Sequence, residues 1–388
     1  GGGAEMESVV SLFKTWLSVP KPKNSQELVE HVVEMMCIVQ KFQHQMLRHG
    51  HTTEERSKGD AEWQQIQKAQ EQLAKEIAQM RETLRKKGEG DGGQEYKTLS
   101  VEIANRKMMQ LLVKQIGLID FETKKDVARL FAELLKAPCP GGFTTQYIID
   151  NFEELVGVLL EGYRLVEFSS YCCGHMIREC IQSSDLTKKI LYSPFLSELF
   201  VAAQLEQFDI ATHAFVTLQE LLTTHKKTVA VFLDEQYDTF FPKYTELLTS
   251  ANYSTKRQSL RMLGTLLLDR TNFNVMIRYI SDEGNLKLVM NLMRERSEAI
   301  QLDAFQVFKV FVGNPDKQEP VLAILRKNHV KLRQFIANNL KADPTDDEFK
   351  EDRQAVLDEI EKLATEHPPQ AAAAAPRPAP PQAEAPAG

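Results

Sequence analysis

The chain has 388 residues, a net charge of -7 and a hydrophobic share of 43%. No apolar run approaches the roughly 18 residues that span a bilayer, and no charged-then-apolar leader opens the chain, so a cytoplasmic protein without membrane insertion is expected. An acidic chain does not as a whole grip nucleic acid, and five cysteines, an odd count, point to reduced thiols rather than a disulfide framework.

Residues 1–24 read as an N-terminal extension. A first helix is predicted from Ser25 to Arg48, with Val29, Val32, Val33, Met36, Ile38 and Val39 on its apolar side. A second runs from Asp60 to Lys87, where Ile66, Leu73, Ile77, Met80 and Leu84 recur at spacings of seven, four, three and four. That seam either packs on the first repeat or pairs with another chain, and it is short for a coiled coil. The glycine run from Gly88 to Gly93 is expected to stop the helix. Its spacing resembles a phosphate loop, but Gln94 stands where a Lys is required. Residues 25–97 thus form a divergent helical region ending in a charged, Gly-rich linker.

From about Thr98 to Leu340 one helical pattern recurs. With origins at Phe121, Glu167, Phe208, Tyr253 and Glu298 the intervals are 46, 41, 45 and 45 residues. Six residues after each origin the side chain is small or slim: Val127, Cys173, Ala214, Ser259 and Ala304. Ten, thirteen and fourteen residues on, the positions are mostly apolar, as in Leu218, Leu221 and Leu222, or Phe308, Phe311 and Val312. These offsets fall on one helix face, and a helical unit of about 40–47 residues is the signature of armadillo or HEAT repeats. The fold class expected is all-α, an armadillo/HEAT-like helical-repeat solenoid over 98–340. Breaker residues at Cys139-Pro140-Gly141-Gly142, Ser193-Pro194, Pro242 and Asn314-Pro315 are expected between helices. An acidic helix from about Asp346 to Leu363, within 341–366, caps the array because an end repeat needs one polar face. Residues 367–388 form an Ala/Pro tail holding seven of the sixteen prolines, expected to be disordered or partly polyproline.

Charge is uneven. From Asn252 to Arg296 there are eight Lys or Arg against four Asp or Glu, whereas Lys341 to Glu366 holds ten acidic residues against four basic. A basic stretch in an acidic protein is a candidate docking face for an acidic partner surface. Tyr253, Arg257 and Arg261 are spaced four apart on one helix face, which is either a solvated basic face or a face built for carboxylates and aromatics. Met290 reads as core or as a pocket wall, and Phe208 and Phe273, at helix starts, as packed inward or as contacts.

Catalytic motifs are absent: there is no Gly-x-Ser-x-Gly elbow, His-Glu-x-x-His pair, kinase catalytic loop or EF-hand loop. A non-enzyme without a cofactor is therefore expected. Cys172, Cys173, His175 and Cys180 cluster in sequence, but the repeat register sends Cys173 and Cys180 into the core and His175 elsewhere, so no metal site is read there. His44, His49 and His51 beside Glu54 and Glu55 read as a solvated turn.

Several long runs resemble the calcium-binding protein 39 family. They are IDFETKKDVARLF at 119–131, QFDIATHAFVTLQELLTTHK at 207–226, NYSTKRQSLRMLGTLLLDRTNF at 252–273 and NLKLVMNLMRERSEAIQLDAFQVFKVFVGNP at 285–315. The resemblance covers roughly Leu118 to Leu340. It implies an armadillo-like horseshoe that acts as a scaffold, binding and activating germinal-centre-type serine/threonine kinases or their pseudokinase relatives, in animals within a ternary complex. Carried over by motif, the concave contact would use Phe208, Tyr253, Arg257, Arg261, Arg270 and Phe273. A hydrophobic pocket for a Trp-x-Phe partner tail would use Met290 and Lys331. Arg261 stands where many members have Lys, which keeps the charge and changes the geometry. Cell polarity and signal transduction are the pathway expectations of the resemblance.

Two rival readings compete with the scaffold. A transport adaptor for basic peptides would want acidic inner helices, which the basic face disfavours. A structural adaptor in a cytoskeletal or ciliary assembly would use the helix at 60–87 as an extra contact.

Overall fold

Each of the five repeat origins is the first residue of a helix in the computed structural model, which describes residues 11–49, 61–86, 91–136, 139–164, 167–340 and 347–365. Among the described residues the regular structure is helical throughout, with no strand. After a helical stretch at residues 11–18 come α1 (Ser25–His49), α2 (Ala61–Arg85), α3 (Asp91–Asn105), α4 (Met108–Lys114) and α5 (Phe121–Leu135). The next are α6 (Thr145–Asp150), α7 (Phe152–Arg164), α8 (Glu167–Ile181), α9 (Ser184–Leu191), α10 (Phe195–Ala202) and α11 (Phe208–Thr223). Then follow α12 (Lys226–Glu235), α13 (Tyr237–Leu248), α14 (Tyr253–Leu268), a 3-10 turn (Arg270–Asn272) and α15 (Phe273–Ser281). The last are α16 (Glu283–Leu292), α17 (Glu298–Gly313), α18 (Glu319–Asn339) and α19 (Asp347–Thr365).

The chain divides into two compact units, Gly1–Val275 and Met276–Gly388. In the first, three rows of helices run side by side. α2, α5, α8, α11 and α14 pack successively in one row, α4, α7, α10 and α13 in a second, and α6, α9, α12 and the 3-10 turn in a third. The repeat is therefore a three-helix unit in an all-α helical-repeat solenoid, of which the sequence pattern displays the one helix with the cleanest register. In the second unit α16 packs on α17 and α18, and α19 packs on both α17 and α18.

The register explains the core. Val127, Cys173, Ala214, Ser259 and Ala304 are fully buried, and so are nearly all the apolar positions ten to fourteen residues into each repeat, Leu135 alone being half-buried. Small residues at the sixth position let helices approach closely. At Gly162 on α7 an added Cβ would sit 2.2 Å from the Cys173 sulfur on α8. Side-chain caps set several helix starts. The Asp120 carboxylate accepts from the amides of Glu122 and Thr123 at 3.1 Å, Ser183 caps α9, and Ser297 caps α17. Layers are also tied by buried polar bonds, such as the Tyr163 hydroxyl with Thr217 Oγ1 at 2.7 Å and Arg178 donating to the same oxygen at 3.1 Å.

Several expectations are corrected. Pro242 lies inside α13, not between helices. Its lost backbone donor costs about 3 kcal/mol in a free helix, and burial of the neighbouring Phe240, Phe241 and Tyr244 outweighs that here. Gly92 and Gly93 belong to the first turn of α3, so regular structure resumes before Thr98. On α1, Met35 is buried while Val33 and Ile38 are half-buried. The α2 seam packs on α5: Leu73, Ile77, Met80 and Leu84 are buried, and Arg81 pairs with Asp126 and Glu133 of α5. Pairing with another chain is not needed to cover it. The side chains of His44 and His49, together with His51, Glu54, Glu55 and residues 366–388, lie outside the described residues.

Candidate functional site

The row containing α11 and α14 presents its outward side chains to solvent. On α14, Asn252 caps the start, its side-chain oxygen accepting from the Ser254 and Thr255 amides at 2.9 and 3.2 Å. The buried stripe of Ser259, Leu260, Leu263, Leu266 and Leu267 then fixes the helix rotation, so Tyr253, Arg257, Arg261, Thr265 and Leu268 share the opposite stripe. Tyr253 is 50% exposed, Arg261 is exposed and Arg257 is half-buried. Phe208 begins α11, the neighbour of α14 in the row, and is 63% exposed.

Between α11 and α14 lies a groove of about 370 Å³ lined by Gln219, Thr223, Gln258, Arg261, Met262 and Thr265. Its amides, hydroxyls and single guanidinium can hydrogen-bond an anionic side chain.

Arg270 and Phe273 are placed by a different device. The Asp269 carboxylate accepts from the Thr271 amide at 2.9 Å and pairs with Lys226 at 2.8 Å. The Lys226 bond and then the Thr271 bonds hold that carboxyl down at about 2. Asn272 is buried and donates to the Leu266 carbonyl at 2.9 Å. The turn so pinned leaves Arg270 exposed and Phe273 59% exposed. It packs on α12 as well as α14, so Arg270 comes from another row than Phe208, Tyr253, Arg257 and Arg261, and Phe273 follows it as the first residue of α15.

In the second unit Met290 on α16 and Lys331 on α18 line one cavity of about 290 Å³, with Met293, Arg294, Asn328, Leu332 and Phe335. Met290 is half-buried and Lys331 exposed. An adaptable thioether and an aromatic ring below, with two cations at the rim, suit an aromatic guest that carries a negative charge. Sequence reasoning missed Arg294, Asn328 and Phe335. The signal was available, since they sit at helical offsets of three or four from Met290 and Lys331. It also missed Phe121 and Tyr171, exposed aromatics on the earlier row helices α5 and α8.

Cys172, Cys173 and Cys180 are buried, and His175 turns away toward Glu179, its Nδ1 4.0 Å from the carboxylate. Among the described residues no group of three or more His, Cys, Asp or Glu is placed to hold a metal ion.

The family profile described as Mo25-like matches residues 13–364. This chain belongs to the Mo25-like family. Among relatives, the Mo25-like chain is 41% identical to Calcium-binding protein 39-like of Homo sapiens over 297 residues, covering 76% of this chain and 88% of that protein. The mouse (Mus musculus) protein of the same name is 40% identical over the same length and shares. The Mo25-like protein of Schizosaccharomyces pombe is 39% identical over 265 residues, covering 68% of this chain and 80% of that one. Membership supports a scaffold-type protein built on the helical repeat.

Proposed function

We propose that this Mo25-like chain is a non-enzymatic cytoplasmic scaffold that binds a germinal-centre-type serine/threonine kinase or pseudokinase and favours its active arrangement. The observation that carries the reading is the outward stripe of Tyr253, Arg257 and Arg261 beside exposed Phe208, aromatic and basic side chains with their backs fixed by a packed core. A solvated helix face gains nothing from exposed aromatics, whereas Tyr, Phe and Arg anchor interfaces. The mechanism is differential binding: contacts made better with the active arrangement shift the partner's equilibrium, and tenfold activation needs only about 1.4 kcal/mol of preference. The Met290–Lys331 cavity takes an aromatic, acidic tail of the same partner and raises the local concentration of the kinase domain. Among the described residues no helix is long and apolar enough to cross a membrane, which is compatible with this setting.

The test is affinity purification from source cells with the intact protein, Arg257→Ala and Met290→Ala, followed by kinase assay of what is captured. A kinase-fold partner whose activity drops with Arg257→Ala and whose retention drops with Met290→Ala supports the reading. Recovery of no kinase-fold protein by the intact chain sinks it.

A further inference from the structure

Next to Phe208, where α7, α10 and the start of α11 meet, lies a largely apolar cavity of about 320 Å³. Leu160 of α7, Leu199, Val201 and Ala202 of α10, Leu205 of the connecting loop and Ile210 of α11 line it. Ala202 keeps it open, because a longer side chain at that lining position would fill the space. Val201, at the socket rim, is 58% exposed, and Phe208, seven residues further along the chain, is 63% exposed. An open apolar cavity with exposed large apolar side chains at its mouth marks an interaction site more often than scattered single residues do.

The charge around the socket has one sign along the chain that forms most of it. From Ile190 to His225 there are Glu198, Glu206, Asp209 and Glu220 and no Lys or Arg. Glu198 lines the cavity, and Glu206 and Asp209 are exposed. Glu220 is engaged elsewhere, by Arg178 at 3.5 Å. Lys243 donates to Ser197 at 2.7 Å on a different flank of α10, where both line another cavity. One repeat later α14 carries Arg257 and Arg261, so neighbouring row helices present opposite charge.

We propose that the α10–α11 socket takes one large apolar side chain of the partner, flanked there by Lys or Arg. The inference rests on the scaffold reading and adds an orientation to it: a basic, apolar element of the partner sits at α10–α11 while an acidic element meets α14. A side chain flanked by carboxylates is rejected by Glu206 and Asp209, which gives the face a polarity that excludes the reversed docking.

The test uses the full chain with labelled Ile, Leu and Val methyl groups at physiological salt. The probes are two seven-residue peptides, one with a central Phe flanked by three Lys on each side and one with Glu in place of every Lys. The Lys peptide shifts the methyls of Leu160, Val201, Leu205 and Ile210, the Glu peptide does not, and affinity falls at least about fivefold in Ala202→Leu, which fills the socket, and in Glu206→Lys. Glu206 is exposed in a loop, so that variant decides the matter even if Ala202→Leu unfolds. Equal binding of the two peptides, shifts confined to other methyls, or unchanged affinity in a folded variant overturns the socket. The same variants are then compared with Arg257→Ala in the partner capture. A kinase-fold partner lost with Arg257→Ala but kept by both socket variants overturns the socket and leaves the scaffold reading standing. If no such partner is captured at all, the scaffold reading fails while the peptide result still judges the socket.

Discussion

Burial decides the chemistry of Cys172, Cys173 and Cys180. Removal from water penalises the thiolate, which pushes the Cys172 thiol up to about 11 and the Cys173 and Cys180 thiols higher still. Cys37 is exposed, whereas Cys139 is buried like the other three. In the native protein at pH 8 a chromogenic disulfide should titrate one cysteine rapidly and the other four only in denaturant; several fast thiols would contradict the packed register. His31 shows the opposite balance. Burial works against its charge, but its Nδ1 lies 2.7 Å from a Glu76 oxygen, and that bond together with the attraction of Glu76 raises the imidazolium's pKa above 6.5. A raised folded value means the stabilisation is fully present below about pH 6.5 and fades as pH rises through the folded value. The ring also stacks on Trp16 at 4.1 Å, and the Trp16 indole donates to the His31 carbonyl at 2.8 Å. Melting temperature should therefore decline across that rise in pH, and Glu76→Gln should flatten the decline. A profile identical in the two proteins would remove His31 from the account. Neither environment is legible in sequence beyond the helical register, because His31 and Glu76 lie 45 residues apart.

For single helices, capping and rotation set what the candidate site can present. Asn252→Ala removes the acceptor for two first-turn amides of α14 and should cost about 1 kcal/mol of stability, read from denaturant midpoints at constant slope. The same variant should weaken partner capture less than Arg257→Ala does, since it frays the start of the stripe without deleting its cation. The stripe itself was legible, because four-residue spacing places Tyr253, Arg257 and Arg261 on one face whatever the fold. Whether Phe208 and Phe273 point inward was not. Aromatics at helix starts usually pack, and only the neighbouring helices show that these two remain exposed. The short helices α6, α9, α10 and α12 escaped the sequence reading for a related reason. Each spans fewer than three turns, too few for a periodic pattern to stand out.

Across the whole molecule, a repeat array stabilises each layer through its neighbours, so its ends need covering. In the second unit α19 covers α17 and α18. Phe349 packs on Phe305 with ring centroids 5.4 Å apart, Lys309 pairs with Asp352, and Lys317 pairs with Glu359 at 3.2 Å. Phe349 is buried, and Phe349→Ala should destabilise that unit by roughly 3 kcal/mol. Hydrogen exchange should quicken in α17 and α18 and stay unchanged in α5 and α8, as nearest-neighbour stabilisation requires. Uniform acceleration over the chain would instead indicate a single cooperative body. The sequence by itself determined the helical class, the repeat period, the buried face of one helix in each unit and the charge imbalance along the chain, because all of these follow from spacing along a helix of fixed pitch. Only the tertiary structure decided that each repeat has three helices, that Pro242 sits within one, that Met290 and Lys331 share a cavity, and that a largely apolar cavity opens where α7, α10 and the start of α11 meet. Those features depend on which side chains from distant segments fill the same space, and periodicity carries no information about that.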